Sequence, residues 1–320
     1  MSKNSMEKNK EPFVSVIMAA YNSEKYIAEA IESILNQSYH NLELIIVEDA
    51  ATDHTLQIIQ SFSDNRIRLL SNKENRGTLY SMRRAVRASR GELIAVLDSD
   101  DVSYPTRIEK QVSFLQMNPR VLLCGTKADI LVGGKIKKGW GSSVKTLEEL
   151  HFSLLFENNV VHSTVMFRKE ELEKRNIKYS KFSYCHDYNL ILETVSLGQV
   201  CLLDEVLGAY RIHNEQKTIV LSDQKREKET RAARKKYVIH QKYFSKPEKI
   251  VLCRAIEGEL EKYWEFKLLE YTLKHYIKIC GLGKKDNFLI KQKCSFLLLQ
   301  QKDTIQRFLF GLTSRIMSIG

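Results

Sequence analysis

The chain has 320 residues, of which 43% are hydrophobic, 28% are charged and only four are proline, and this composition excludes a largely disordered or collagen-like chain. Its net charge of +11 lies in residues 221–320, which hold 22 Lys and Arg against 11 Asp and Glu, whereas the two signs balance in residues 1–220. We therefore expect a flexible polar N-terminus over residues 1–12, a neutral domain over 13–220 and a separate basic region over 221–320.

Strand and helix patterns alternate along the first part of the neutral domain. Compact apolar runs rich in β-branched residues predict buried strands, and apolar residues at helical spacing predict the helices between them. The predicted elements, in chain order, are strand Phe13–Ala20, helix Glu24–Asn36 capped by Ser23, strand Leu42–Val47, a helix capped by Thr52 or Asp53, strand Ile67–Leu70, helix Thr78–Ala88 and strand Leu93–Leu97. This alternation predicts an α/β fold, in which a mainly parallel sheet is covered by helices on both faces.

The elements that follow are less regular. They are predicted as helix Arg107–Asn118, strand Val121–Gly125, a hairpin over Ile130–Lys138, helix Leu147–Phe156, strand Val160–Arg168, helix His186–Leu197 and strand Val200–Tyr210. The hairpin is expected to turn at Gly133-Gly134. From Ser222 onward the pattern is helical, and the predicted helices are Lys225–Tyr243, Lys249–Lys278 and Leu289–Leu309.

Acidic side chains follow two of the predicted parallel strands, at the edge of the sheet where such folds bind ligands. Asp98 and Asp100 leave one strand two positions apart, and an Mg²⁺ or Mn²⁺ ion would relieve the repulsion between their carboxylates. Because such ions bind through one or two carboxylates plus substrate phosphates, we expect a diphosphate to supply further ligands. Asp49 ends another strand and could accept from a ribose or a base. Both loops could equally be acidic turns that cap the following helices.

Five further side chains could bind a ligand, and each also has an ordinary structural explanation. Tyr21 could stack on a base or lie half in the core, and His162 could be catalytic or a hydrogen-bonded core histidine. Asp187 could be an acid favoured by a helix N-terminus. Arg211 and His213 flank a strand end, where they could meet phosphate or solvent. Taken singly, none of them decides between binding and structure.

Taken in order along the chain, these stretches resemble the family-2 glycosyltransferases with a GT-A fold. The matching stretches are Val14–Asn22, Ile34–Tyr39, Glu43–Asp53, Asn75–Gly77, Gly91–Asp101, Pro105–Arg107, His162–Arg168, His186-Asp187 and Tyr210–His213. The resemblance implies a Rossmann-like GT-A domain followed by a helical C-terminal region. It also implies an inverting transferase that moves a sugar from a UDP-hexose or UDP-N-acetylhexosamine to an acceptor hydroxyl in cell-surface polysaccharide or lipooligosaccharide synthesis.

For the donor side of the site, the resemblance assigns four roles. Tyr21 and Asp49 would hold the nucleobase, with the carboxylate accepting from N3–H of a uracil. Asp98 would contact the ribose. Asp100 would ligate the Mn²⁺ or Mg²⁺ ion that bridges the diphosphate and neutralises its charge as it leaves.

For the acceptor side and the leaving group, the resemblance assigns the remaining roles. Asp187 matches the general base, and a carboxylate suits this role because the acceptor hydroxyl must lose its proton as it attacks. Arg211 and His213 match the group near the diphosphate or metal. His162 lies where the family lines the sugar and acceptor site. One base without a covalent partner implies inversion at the anomeric carbon.

The chain departs from the family pattern at three places. Where the family usually has two aspartates and Gly-Ser, this chain has Glu48-Asp49 and Ala50-Ala51, so a stiffer turn is expected. Met82-Arg83 replaces the frequent Arg-Asn pair, so no phosphate role is carried over to Arg83 or Arg84. His186 precedes the expected base, where the family often has a glutamate.

The basic region predicts a partner of opposite charge. Its Lys and Arg alternate with apolar residues at helical spacing, which favours peripheral contact between residues 221–320 and an anionic membrane. The alternative is a helical subdomain that packs its apolar stripe on the catalytic domain. No nucleic-acid-binding motif accompanies the charge.

The remaining features favour a cytoplasmic protein at the inner face of the cell membrane. The first 12 residues lack the apolar core of a signal peptide, and no run of about 18 apolar residues occurs. The six cysteines are scattered, as expected for thiols in a reducing compartment.

Two other functions compete with glycosyl transfer. A non-catalytic membrane-surface binding protein with the same fold would not need Asp98, Asp100, Asp187 and His213 together. A nucleotidyltransferase would need a glycine-rich loop with a cation after the first strand, and Ala19–Asn22 has neither.

Overall fold

A computed structural model describes residues 11–140, 150, 153–155, 158–179, 182–197, 200–214, 216, 223–241, 244–257, 259, 268, 269 and 271–273. The chain divides into two compact units, residues 1–145 with 159–223, and residues 146–158 with 224–320. The domain boundary expected at residue 220 stays a prediction. The predicted helices Leu147–Phe156 and Lys249–Lys278 lie partly outside the described residues, and Leu289–Leu309 lies wholly outside them.

One half of the sheet in the first unit is parallel. Its strands are β1 (Val14–Ala20), β2 (Leu42–Glu48), β3 (Ile67–Ser71) and β4 (Leu93–Val96), and the intervening helices are α1 (Ile27–Leu35), α2 (Thr55–Gln60) and α3 (Thr78–Ala88). The strands lie in the order β3-β2-β1-β4. Because β1, β2 and β4 are covered on both faces, they are apolar and buried almost throughout. The predicted α/β alternation is confirmed, and the carboxyl ends of these strands meet at one edge of the sheet.

The other half of the sheet is mixed. Its strands are β5 (Val102–Ser103), β6 (Leu123–Val132), β7 (Lys135–Trp140), β8 (Met166–Arg168) and β9 (Val200–Ile212), and its helices are α4 (Arg107–Met117), α5 (Lys169–Lys174) and α6 (His186–Val195). The pairs β4–β8, β8–β6, β6–β7 and β5–β9 are antiparallel, and β6–β9 is parallel. Because β5 follows the acidic loop and pairs with β9, the end of β9 runs beside that loop.

The predicted hairpin is present between β6 and β7. Its two turn residues, Gly133 and Gly134, have φ values of 55° and 76°. Glycine suits both positions because residues with a Cβ rarely adopt this left-handed conformation.

The segment predicted as strand Val160–Arg168 is a strand only at its end. Residues His162–Thr164 form a single 3₁₀ turn that precedes β8. Hydroxyl groups stabilise this turn: Thr164 Oγ1 donates to the carbonyl of Val161 (2.8 Å), and Ser163 Oγ accepts from the amide of Asp98 (3.1 Å). Such side-chain to backbone bonds compete with strand pairing.

The first loop also differs from its prediction. Helix α1 begins at Ile27 with Tyr26 at the N-cap position, so Ser23 does not cap it. Ser23 instead links two loops: its amide donates to Thr55 Oγ1 (2.7 Å), and its hydroxyl lies 2.8 Å from Ser99 Oγ. The loops after β1 and β4 are therefore tied together.

Arg107, at the start of α4, is a fully buried cation close to the acidic loop. Its Nη2 donates to the carbonyl oxygens of Val96 (2.8 Å) and Val165 (3.3 Å), while its Nη1 has no partner among the described residues. Burial lowers the pKa of Arg107 to about 10, so the side chain stays charged at neutral pH. Its charge acts on the carboxylates of Asp98 and Asp101.

The second unit contains helices α7 (Asp223–His240) and α8 (Lys246–Glu257). Its buried apolar side chains include Ala233, Tyr237, Val238, Val251, Leu252 and Ala255. Lys235 forms an ion pair of 2.8 Å with Glu257, and Arg231 pairs with Glu227. No helix in the described part of the chain has both the length and the apolar character needed to cross a membrane.

Candidate active site

Asp49, just beyond β2, organises a turn rather than facing open solvent. It is buried, and its carboxylate accepts from the amides of Arg76 (2.9 Å) and Gly77 (2.7 Å) and from Nδ2 of Asn72 (2.6 Å). A carboxylate offers about four acceptor positions, so one remains for a ligand. Ala50 follows with φ of 56°, a left-handed conformation that residues with a Cβ rarely adopt.

Arg83 and Arg84, which carried no predicted phosphate role, both donate to the protein. Arg84 donates to Asn72 Oδ1 (2.5 Å) and to the carbonyl of Ser71 (2.8 Å), and so supports the partner of Asp49. Arg83 donates through Nε to the carbonyl of Tyr179 (2.8 Å). These contacts tie α3 to two sides of the site.

Tyr21 lies at the end of β1 with 38% of its surface exposed, so its ring is accessible to a planar ligand. The next residue, Asn22, has φ of 48° and accepts through Oδ1 from the amide of Thr52 (2.8 Å). The loops after β1 and β2 are thereby joined beside the ring.

The acidic loop after β4 contains three carboxylates, and each has different partners. Asp98 lies 3.1 Å from His162 Nδ1, and Asp100 Oδ2 lies 2.9 Å from His213 Nε2. Asp101, which the sequence did not single out, accepts from the amide of Arg211 (2.8 Å) and from the hydroxyl of Ser163. The loop is therefore fixed to both the 3₁₀ turn and the end of β9.

These surroundings separate the pKa values of the three carboxyl groups. Burial opposes ionisation of Asp98, but the charge and hydrogen bond of His162 outweigh it and hold the pKa of Asp98 below its usual value. Burial and the charge of Asp98 raise the pKa of Asp100. Burial and the charge of Asp100 raise the pKa of Asp101 well above its usual value. A cation beside Asp100 would favour its ionised form.

The side chain of Arg211 bonds to other protein groups rather than facing solvent. Its Nε donates to the main-chain oxygen of Asp100 (2.6 Å), and its Nη2 pairs with Glu29 at 2.5 Å. The guanidinium lies 4.6 Å from the ring centroid of Tyr26, and the ring of His213 lies 4.7 Å from the same centroid. Arg211 therefore holds the loop that carries Asp100, and its side chain is only 8% exposed.

The donor set around Asp100 fits a cation that is shared with a substrate. No group of three or more His, Cys, Asp or Glu able to hold a metal occurs among the described residues, so those residues alone do not form a cage. Magnesium-like ions need only one or two carboxylates when phosphates supply the other oxygens. His213 Nδ1 is buried without a partner among the described residues, whereas a metal-bound imidazole usually donates its second N–H. The geometry thus fits Asp100 as the ligand, with His213 as its hydrogen-bond donor.

Asp187 lies in the first turn of α6, where the helix N-terminus favours a negative charge. It is half-buried, and its charge acts on His162, Tyr179 and His186. The charge of Asp98 acts on the same three side chains, so the expected base and the expected ribose ligand share one environment.

His162 joins that environment to the acidic loop. Its Nε2 lies 3.0 Å from the hydroxyl of Tyr179, and its ring lies 5.7 Å from that of His186. Burial lowers the pKa of His162, but the charge of Asp98 outweighs burial and the net shift is upward. Sequence reasoning did not find Tyr179, because it lies in an irregular segment outside every matched stretch.

Comparison with known proteins identifies the relatives of this chain. The profile of Glycosyl transferase family 2 matches residues 15–191. An uncharacterized glycosyltransferase of Haemophilus influenzae is 33% identical over 228 residues, which cover 68% of this chain and 70% of that protein. The UDP-Glc:alpha-D-GlcNAc-diphosphoundecaprenol beta-1,3-glucosyltransferase WfaP of Escherichia coli is 30% identical over 207 residues, which cover 62% of this chain and 77% of WfaP.

Two solved structures share the fold. TarS of S. aureus in complex with UDP-GlcNAc has a TM-score of 0.63 at 17% identity, over 91% of this chain and 88% of that one. The mannosyltransferase PcManGT of Pyrobaculum calidifontis, in complex with GDP-Man and Mn²⁺, has a TM-score of 0.57 at 18% identity, over 93% of this chain and 88% of that one. The expected GT-A fold is confirmed by this likeness.

Proposed function

The chain belongs to glycosyl transferase family 2, and we propose that it transfers a sugar from a UDP-hexose or UDP-N-acetylhexosamine to an acceptor hydroxyl in cell-surface polysaccharide or lipooligosaccharide synthesis. One observation carries the proposal: His162 bonds to Asp98 at 3.1 Å, and its ring lies 5.7 Å from that of His186, which precedes Asp187 at the start of α6. The use of UDP-Glc for which WfaP is named and the UDP-GlcNAc complex of TarS support a UDP-sugar donor.

In this function, the donor binds at the edge formed by the carboxyl ends of β1, β2 and β4. The exposed ring of Tyr21 stacks on the base. Asp49 shapes the Arg76-Gly77 turn and offers its remaining lone pair to the N3–H of a uracil. Asp98, held ionised by His162, accepts from a ribose hydroxyl.

For the leaving group, the proposal places an Mn²⁺ or Mg²⁺ ion at Asp100. When bound, the ion neutralises the charge that builds on the nucleoside diphosphate as the anomeric bond breaks. Arg211 keeps the backbone of Asp100 in place, and His213 donates to its carboxylate. The Mn²⁺ in the PcManGT structure supports a metal-dependent reaction.

For the acceptor, the proposal makes Asp187 the general base. Asp187 takes the proton of the acceptor hydroxyl while that oxygen forms its bond to the anomeric carbon, and the bond to the diphosphate breaks on the opposite side. One displacement without a covalent intermediate inverts the anomeric configuration. We also propose that the enzyme works at the cytoplasmic face of the membrane, because WfaP is named for a diphosphoundecaprenol acceptor.

Release of nucleoside diphosphate from a panel of UDP-, GDP- and dTDP-sugars tests the proposal. With Mn²⁺ present, we expect slow hydrolysis of one UDP-sugar, loss of that activity with EDTA, and recovery when Mn²⁺ is restored. Asp100→Asn should abolish the activity, whereas Asp204→Asn, at an exposed ion pair with Lys127, should not. If the protein neither binds nor hydrolyses any nucleotide-sugar, the proposal is contradicted and a non-catalytic role is favoured.

A further inference from the structure

Three rings pack against one another between the acidic loop and the start of α6. They belong to His162, Tyr179 and His186, and their centroids lie 5.7 to 5.9 Å apart. Tyr179 is buried, and its hydroxyl lies 3.0 Å from His162 Nε2. A buried phenol needs such a partner, but the partner here also bonds to a carboxylate of the proposed donor site.

The hydrogen bonds define where the proton of His162 lies. Asp98, as a carboxylate, can only accept, so the Nδ1 atom that lies 3.1 Å from its Oδ1 and 3.2 Å from its Oδ2 must carry the proton. In the neutral ring Nε2 is then an acceptor, and the Tyr179 hydroxyl donates to it. If the ring is protonated, Nε2–H donates to the phenol oxygen instead. The hydroxyl of Tyr179 therefore partners Nε2 in both states, and the carboxylate of Asp98 selects the form with the proton on Nδ1.

Tyr179 is itself held in place from two sides. Its carbonyl accepts from Arg83 Nε of α3 (2.8 Å), and its ring contacts His186 at the start of α6. The charges of both Asp98 and Asp187 act on its hydroxyl. Tyr179 thus lies between the carboxylate that meets the donor and the helix that carries the base.

On the basis of the proposed function, we infer that Tyr179 is a positioning residue for the nucleotide-sugar donor. Its hydroxyl anchors the His162 ring through Nε2, and His162, with the proton on Nδ1, in turn holds Asp98 as the acceptor for a ribose hydroxyl. Removing the hydroxyl leaves Nε2 without this partner, so the His162 ring can turn away from Asp98. The fraction of molecules with Asp98 correctly placed then falls, and the apparent Kd of the donor rises by the inverse of that fraction.

Calorimetric titration with UDP and Mn²⁺ tests this inference. We expect Tyr179→Phe to raise the Kd of UDP several-fold to roughly tenfold. Tyr39→Phe is the matched control, since Tyr39 is also buried and its hydroxyl donates to the carbonyl of Pro12. It should lower the Tm to a similar extent and leave the Kd unchanged.

A second pair of variants isolates the role of each ring nitrogen. The amide of His162→Asn lies near the position of Nδ1 and can still donate to Asp98, whereas that of His162→Gln reaches the position of Nε2. We expect His162→Asn to bind UDP more tightly than His162→Gln. In the His162→Asn background, Tyr179→Phe should have no further effect on the Kd, because the atom that it partners is gone.

The outcomes separate this inference from the proposed function. A wild-type protein that binds neither UDP nor any nucleotide-sugar contradicts both. If the wild type binds UDP and Tyr179→Phe binds it equally well, the phenol only stabilises the fold and the inference is wrong. Should Tyr179→Phe fail to fold, the ¹⁵N chemical shifts of His162 in the wild type decide: a proton on Nε2 with a bare Nδ1 would overturn the inference.

Discussion

At the acidic loop, three neighbouring carboxyl groups acquire different properties from their partners. The pKa of Asp98 is lowered by His162, that of Asp100 is raised by burial and by Asp98, and Asp101 is bound to Arg211 and Ser163. The sequence predicts a cation near these residues because Asp98 and Asp100 lie two positions apart just after a predicted strand. It does not predict which of them bonds to which partner, because those partners come from segments more than 60 residues further along the chain.

Asp187 is the residue whose replacement should affect chemistry most selectively. Asp187→Asn keeps the shape of the side chain but removes the proton acceptor, so kcat should fall by about 10²- to 10⁴-fold. The KM of the donor should change little, because the base does not bind the nucleotide. Steady-state kinetics with the identified UDP-sugar measure both values. A variant that keeps half of the wild-type kcat would exclude Asp187 as the base.

At the level of the elements, the parallel half of the sheet was predictable and the mixed half was only partly so. Strands β1, β2 and β4 are continuous apolar runs, which give a clear signal. β5 has only two residues, and α5 buries a single side chain, Leu172, so neither shows an apolar periodicity. The apolar pattern of residues 160–168 predicts a strand, but the hydroxyl side chains at His162–Thr164 favour a 3₁₀ turn. No pattern points to Tyr179, because it lies in no helix, strand or motif.

The amino ends of the strands are held together by a buried carboxylate. Glu43 in β2 accepts from Ser15 Oγ of β1 (2.7 Å) and pairs with Arg68 of β3 (2.7 Å) and with Arg90, just before β4 (2.9 Å). Burial opposes ionisation, but these hydrogen bonds outweigh it and lower the pKa of Glu43 to about 2. One residue thus links all four parallel strands.

Glu43→Gln should reveal this link through its pH dependence. Because the pKa is lower in the folded state, the stabilisation is complete above about pH 4.5 and is lost as the pH falls toward 2. A shift of this size corresponds to roughly 3 kcal/mol at pH 7. Urea unfolding should therefore show a loss of that order at pH 7, and the difference from wild type should narrow below pH 4.5.

Glu205→Gln is the control for this measurement. Glu205 forms an exposed ion pair with Lys110, and exposed pairs contribute about 0 to 1 kcal/mol. A Glu43→Gln difference that stays constant between pH 7 and pH 3 would show that the residue acts through packing rather than through its charge.

At the scale of the whole molecule, charge and chemistry lie in different parts of the chain. The proposed site lies within the first unit, while the excess of Lys and Arg lies in residues 221–320. On helix α7 and the first turn of α8, the exposed cations include Lys228, Lys236 and Lys246. If the acceptor is lipid-linked, residues 221–320 would bind the membrane while the first unit transfers the sugar.

Sedimentation with vesicles tests the membrane contact. We expect binding to vesicles that contain anionic lipid, weakened by salt, and no binding to neutral vesicles. Replacing Lys228, Lys236 and Lys246 by Gln should weaken binding by on the order of a hundredfold, since each contributes about 1 kcal/mol. Replacing the exposed Lys135 and Lys137 of the hairpin should have little effect. Equal binding to neutral vesicles would contradict the electrostatic contact.

A crystal structure with UDP and Mn²⁺ tests the proposed donor site most directly. We expect the base against Tyr21, the ribose at Asp98, the diphosphate and the cation at Asp100, and Asp187 facing the position of the anomeric carbon. Nucleotide or cation bound away from the ends of β1, β2 and β4, or an Asp187 that faces away from the diphosphate, would contradict it.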